Sequence, residues 1–188
     1  MAGMLKDVLF TVWFFLPAGA ANVMPILIAA VPALKRFDAP IDCGLMFRSK
    51  RVLGDHKTWR GLISGVVAAT IAFWLQQLLV QHTGWAASLT SATDYVGLPT
   101  LVVGALFGLG ALGGDAIESF FKRQRGVAPG RGWFPFDQTD YIIGGALATA
   151  PFIQLGFWQY VMLVIMWLIV HVVASYIGYL LGLKERPI

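Results

Sequence analysis

Long apolar runs separated by short polar stretches dominate the chain, and they predict five membrane helices: about Val8 to Leu34, Gly61 to Gln81, Gly97 to Phe121, Tyr141 to Leu155 and Trp158 to Leu181. A hydrocarbon core of roughly 30 Å takes about 20 residues of helix, and lipid requires every backbone amide inside it to be bonded within the segment. The fourth run is short for this purpose. In the first run Pro17, Pro25 and Pro32, with Asn22 between them, predict a kinked or partly unwound helix beside a cavity, whose freed carbonyls need partners. In the third run Gly104, Gly108 and the Gly110 to Gly114 stretch place small residues at helical spacing, so that neighbouring backbones can approach closely. No internal repeat argues for an inverted-repeat transporter.

Composition strengthens this reading. The chain is 57% hydrophobic and 13% charged, with a mean hydropathy of +0.70, which excludes a water-soluble domain of ordinary make-up. The expected fold is an all-α polytopic integral membrane protein of about five transmembrane helices, with residues 1–188 in one membrane-embedded domain. The first run exceeds a signal-peptide apolar region and has only Lys6 upstream as a basic residue, so it reads as a retained helix. The single cysteine, Cys43, excludes an internal disulfide and a cysteine metal cluster. A net charge of +4 raises nucleic acid as a partner, but no basic helix with interleaved aromatics lies outside the spans.

Charge placement is more informative than charge total. Lys35, Arg36, Arg48, Lys50, Arg51, Lys57 and Arg60 crowd the first loop, and Lys122, Arg123, Arg125 and Arg131 the third; the second and fourth loops have none. By the positive-inside rule the loops at about 35–60 and 122–140 are cytoplasmic, with the tail bearing Lys184 and Arg186, and the N-terminus lies outside. Trp85 and Trp158 suit the opposite interface.

The acidic residues then converge on the cytoplasmic side. Asp115 and Glu118 end the third span, and Asp137 and Asp140 precede the fourth. On a continuing helix Asp115, Ser119 and Lys122 share one face, as do Asp137 and Asp140 if their turn is helical. A carboxylate at membrane depth is expensive and marks a functional position by default. Hard oxygen ligands from separate helices suit Mg²⁺, whose shell is usually completed by water and substrate phosphates, whereas His56, His82 and His171 are scattered and make zinc a poor fit. Facing these acids, the cations of Leu53 to Gly61 supply what a metal-bound polyphosphate requires. Lys57-Thr58 lacks the glycine frame and strand of a P-loop, and no spacing supports a Ser/His/Asp or Cys/His nucleophile.

Taken together, Asn22 with Pro25, Pro40-Ile41-Asp42-Cys43-Gly44, the Leu53 to Gly61 stretch, Gly113 through Arg123, and Pro135-Phe136-Asp137-Gln138-Thr139-Asp140 resemble the CDP-archaeol synthases, small membrane cytidylyltransferases related to CDP-diacylglycerol synthases. The likeness spans most of the chain, and the order of its pieces agrees with that family. The wider diacylglycerol-branch signature carries Asp-Arg where this chain has Asp137-Gln138, which favours the archaeal branch. The resemblance implies a Mg²⁺-dependent reaction of CTP with a membrane lipid phosphate, an unsaturated diether favoured and a diacyl phosphatidate left open, giving a CDP-lipid and pyrophosphate. It implies an enzyme of the cytoplasmic (inner) membrane with its site facing the cytoplasm. On this reading Asp115, Asp137 and Asp140 bind metal and, with Lys122, are catalytic. Lys57, Arg60, Lys122 and Arg123 hold phosphate, Ser119 adds a hydrogen bond, and Asn22 and Asp42 shape the nucleotide cavity. A homo-oligomer is left open. The alternative is a small transporter or ion-coupled permease, for which the outward halves of the spans offer little beyond Thr70, Gln76 and Gln77. A non-catalytic scaffold for anionic lipid accounts for the cations but not for the clustered acids.

Overall fold

The computed structural model describes residues 2–128 and 131–180; the predicted span end at Leu181 and the basic tail with Lys184 and Arg186 lie outside the described residues. In chain order the elements are α1 (Ala2–Ala29), a 3-10 helix (Pro32–Phe37), a small hairpin of β1 (Met46–Phe47) and β2 (Lys50–Arg51), α2 (Trp59–His82), α3 (Gly84–Leu89), α4 (Thr100–Gln124), α5 (Phe136–Thr149) and α6 (Phe157–Leu180). The chain has an all-α integral membrane fold, with the hairpin as its one sheet among the described residues. Four helices, α1, α2, α4 and α6, are long and apolar enough to cross a bilayer. Large side chains such as Ile63, Leu101, Leu147 and Trp158 stand exposed along the helices, as lipid-facing positions should.

Two element boundaries differ from the expectation. Helix α5 has 14 residues, about 21 Å at 1.5 Å per residue, and starts at Phe136 rather than Tyr141 because Asp137 in its first turn complements the helix dipole. It stops at Thr149, short of Leu155, because Pro151 offers no N–H and disfavours a helical residue before it. Helix α1 is continuous through Pro17 and Pro25 rather than partly unwound, and it ends before Pro32. Pro17 leaves the Trp13 carbonyl without its helical donor, and Gln76 Nε2 of α2 donates to that carbonyl. Gln77 Nε2 donates to the carbonyls of Tyr95 (2.9 Å) and Leu98 (2.8 Å), and Thr100 Oγ1 donates to Gln77 Oε1. Both glutamines thus hold backbone together instead of lining a path, which weakens the transport reading.

The core is aromatic. Phe14 and Phe107 meet edge-on at 5.2 Å, and Phe15 and Trp167 at 5.4 Å, joining α1, α4 and α6. Helix α4 is the hub, because its glycines present two bare stripes. Gly104 and Gly108 abut the Thr70 and Val66 backbone of α2, while Gly110 and Gly114 abut Gly144 and Asp140 of α5. Lipid gives no hydrophobic drive for helix association, so such close backbone contact is a main source of cohesion. A β-carbon on Gly114 would strike the Asp140 carbonyl. This contact therefore sets the register between the acids of α4 and those of α5.

Candidate active site

The first loop is assembled around Asp42, which is 4% exposed. One carboxylate oxygen accepts from the amides of Leu53 (2.9 Å) and Gly54 (3.0 Å), the other from Gly44 (3.1 Å) and Arg51 Nη2 (2.7 Å). Burial alone would raise its pKa, but the Arg51 guanidinium and the three amides outweigh burial and hold the carboxyl well below the usual carboxylate range. The hairpin turns at Arg48 and Ser49, both with positive φ (50° and 61°), the geometry whose twist matches paired strands. At the loop's base Ile41 N donates to Lys57 O (2.7 Å) and Trp59 N to Ala39 O (3.0 Å). Thr58 then caps α2 by accepting from Gly61 N at 3.1 Å. These bonds deliver Lys57 to α4, where its ammonium bonds the Asp115 carboxylate. Lys50 Nζ donates to Gln124 O (2.6 Å), so the first and third loops meet at one end of the bundle.

On that end α4 presents Asp115, Glu118, Ser119 and Lys122. Lys122 Nζ lies 2.8 Å from Asp137 Oδ1 and 3.5 Å from Glu118 Oε1, and Asp137 Oδ2 accepts from Trp133 N at 2.8 Å. One carboxylate oxygen each from Asp115, Glu118 and Asp140 fall within 4.8 Å of one another. Three carboxylates so close repel unless cations join them, and the ammonium groups of Lys57 on Asp115 and Lys122 on Glu118 supply two positive charges against three negative ones. The donor set is all hard oxygen from two helices, so these residues fit a divalent cation of the Mg²⁺ or Ca²⁺ type. Beside them opens a cavity of about 520 Å³, whose lining includes Arg51, Lys57, Asp115, Glu118, Ser119, Lys122, Arg123, Asp137, Gln138, His171 and Ser175. A second, largely apolar cavity of about 230 Å³ shares Leu53, His56, Lys57 and Asp115 with the first and runs between Pro25 of α1, Leu62 of α2 and Leu109 of α4.

Six of the sequence-predicted residues line the charged cavity: Lys57, Asp115, Ser119, Lys122, Arg123 and Asp137. Asp140 reaches the acid group from α5. Three others are placed elsewhere. Arg60 pairs with Asp38 and donates to Leu34 O at 2.8 Å, away from the cavity, because it leaves α2 on the side facing the 3-10 helix. Asp42 is consumed by its own loop, as described. Asn22 sits on α1, one turn before Pro25, and is absent from the lining of both cavities. The sequence places Asp137 among the metal ligands, but its oxygens meet Lys122 and Trp133 N, and Glu118 stands in the close acid group with Asp115 and Asp140. The i, i+3 spacing of Asp115 and Glu118 carried that signal. The last helix, for which the sequence singles out no functional residue, contributes His171 and Ser175 to the lining; their i, i+4 spacing on an otherwise apolar helix is the available hint.

A membrane-embedded bundle with cations, clustered carboxylates and an adjoining apolar cavity defines an intramembrane enzyme that handles a charged substrate beside a lipid. The family model of CarS-like CDP-archaeol synthase matches residues 4–188, and the chain belongs to that family. Among its relatives, a CDP-archaeol synthase of Thermococcus onnurineus is 33% identical over 97% of this chain and 98% of its own length. One of Methanopyrus kandleri is 34% identical over 93% and 90%. A solved structure described as an intramembrane enzyme for archaeal membrane lipids biosynthesis aligns with a TM-score of 0.57 and 29% identity, covering 84% of this chain and 92% of its own.

Proposed function

We propose that the chain transfers the cytidylyl group of CTP to the phosphate of a membrane diether lipid, forming a CDP-lipid and pyrophosphate. The observation that carries this reading is the shared wall of Lys57 and Asp115, with a charged cavity of about 520 Å³ on one side and an apolar slot between α1, α2 and α4 on the other. CTP occupies the charged cavity, and the lipid enters sideways so that its phosphate meets the nucleotide at this wall. A lipid phosphate oxygen attacks the α-phosphorus of CTP in line. The bond from the α-phosphorus to the bridging oxygen breaks, and that oxygen takes the electron pair as pyrophosphate leaves.

The geometry supports the following residue roles. Arg123, whose buried Nε has no hydrogen-bond partner among the described residues, and Lys57 hold phosphate oxygens. Lys122, braced by Asp137 and Glu118, faces the leaving pyrophosphate. Ser119 donates a hydrogen bond, and Asp42 positions Leu53 and Gly54 at the rim. Asp115, Glu118 and Asp140 would hold Mg²⁺, which when bound neutralises charge on the triphosphate. With α5 counted as a short fifth membrane helix, the cationic loops face the cytoplasm and the N-terminus lies outside, in a single domain of the cytoplasmic membrane.

The test supplies purified protein in detergent with CTP, Mg²⁺ and matched diether or diacyl glycerol phosphates, and measures CDP-lipid together with pyrophosphate. Product from the diether lipid, lost in Asp115→Asn and on chelation, is the expected result. Folded wild-type protein that forms no CDP-lipid from either substrate would refute the reading.

A further inference from the structure

Buried polar atoms of residues that line the cavity differ in the sense of the bond they need. Arg123 Nε is a buried donor without an acceptor, which phosphate oxygens satisfy. Gln138 is the reverse case: it lines the cavity, is only 5% exposed, and its buried Oε1 has no hydrogen-bond partner among the described residues. Glu118 Oε1 is a buried acceptor too, but it faces the Lys122 ammonium at 3.5 Å and belongs to the acid group.

A substrate group that donates a hydrogen bond would satisfy the Gln138 oxygen. The triphosphate and the ionised lipid phosphate offer oxygen acceptors only, and so do ether-linked chains. The donors of the reacting pair all sit on the nucleoside: the exocyclic amino group of cytosine and the two ribose hydroxyls. The fold agrees with this division. Gln138 lies one turn before Tyr141 on the buried face of α5, and the Tyr141 ring stands 5.7 Å from that of His171 on α6. Lys57 and Asp115 line the cavity where the first loop meets α4.

Building on the proposed function, we infer that Gln138 reads the nucleoside of CTP, its Oε1 accepting a hydrogen bond from the base amino group or a ribose hydroxyl, with the nucleoside against α5 and α6 and the triphosphate against α4.

The test compares kcat/KM for CTP, UTP, 2′-deoxyCTP and 3′-deoxyCTP at saturating lipid phosphate in wild type, Gln138→Met and Gln138→Asn. Methionine keeps the length without the acceptor, and asparagine keeps the amide but withdraws it by one methylene. Wild type should disfavour the analogue lacking the bonded group by about 10- to 100-fold. UTP identifies the base amino group, and the deoxy analogues identify a hydroxyl. In the variants that one penalty should collapse toward unity while the other ratios and the KM for lipid phosphate hold. Wild type using all four nucleotides equally would overturn the inference without any variant, which covers the case of variants that fail to fold. So would unchanged ratios in folded variants, or an effect confined to the lipid KM. Wild type without CTP-dependent product would instead refute the cytidylyltransferase reading.

Discussion

Replacing Asp42 by Asn should open the first loop while leaving the helix bundle intact. The asparagine carbonyl can keep the bonds to Gly44 and Arg51, but its NH₂ then faces the amides of Leu53 and Gly54, which lie 2.9 and 3.0 Å from the lost oxygen. Two backbone donors are left unpaired at a site that is 4% exposed. At about 1–3 kcal/mol each, less where water reaches them, the loop loses about 3 kcal/mol. At 1.4 kcal/mol per decade, its open population rises about 100-fold. Lys50, exposed on the hairpin, reports this opening through limited trypsin cleavage, which tracks the open population when closing is fast. Leu53 and Gly54 line the charged cavity, so the KM for CTP should rise alongside. The pH dependence has a definite sign. The folded carboxyl ionises more readily than an ordinary one at 3.8, so its contribution is complete above that pH and is lost as pH falls below it. With an acid-active protease, wild-type nicking should stay flat down to about pH 4 and climb beneath it. Asp42→Asn cleaved at the wild-type rate, with unchanged KM, would refute this account of the loop.

Other outcomes follow from the same geometry. Gly114→Ala places a β-carbon against the Asp140 carbonyl, which should cost about 1–3 kcal/mol and lower the melting temperature in detergent while weakening divalent-cation binding. Glu118→Gln should raise the Mg²⁺ concentration needed for half-maximal turnover more than Asp137→Asn does, because Glu118 contributes an oxygen to the close acid group while Asp137 lies outside it and pairs with Lys122. Gln76→Leu strands the Trp13 carbonyl beside Pro17 and should destabilise the bundle by about 1–3 kcal/mol, read as thermal unfolding, without changing the KM for CTP.

Much of this protein is determined by sequence alone because lipid imposes one rule on the backbone. Runs of apolar residues must be helical, and charge must gather at their ends. That rule predicts α2, α4 and α6 closely, and the helical period places Asp115, Ser119 and Lys122 on one face of α4. The motifs of the loops also carry the family resemblance. What periodicity does not encode is which charged groups pair across elements, since that depends on the angle and register at which helices meet. The glycines of α4 against Gly144 and Asp140 of α5 set that register, and it brings Asp140 to Glu118 while leaving Asp137 for Lys122. Likewise only the folded loop consumes Asp42 and turns Arg60 toward Asp38. Only the packing of α6 against α5 carries His171 and Ser175, from a span that reads as plain membrane filler, to the wall of the charged cavity.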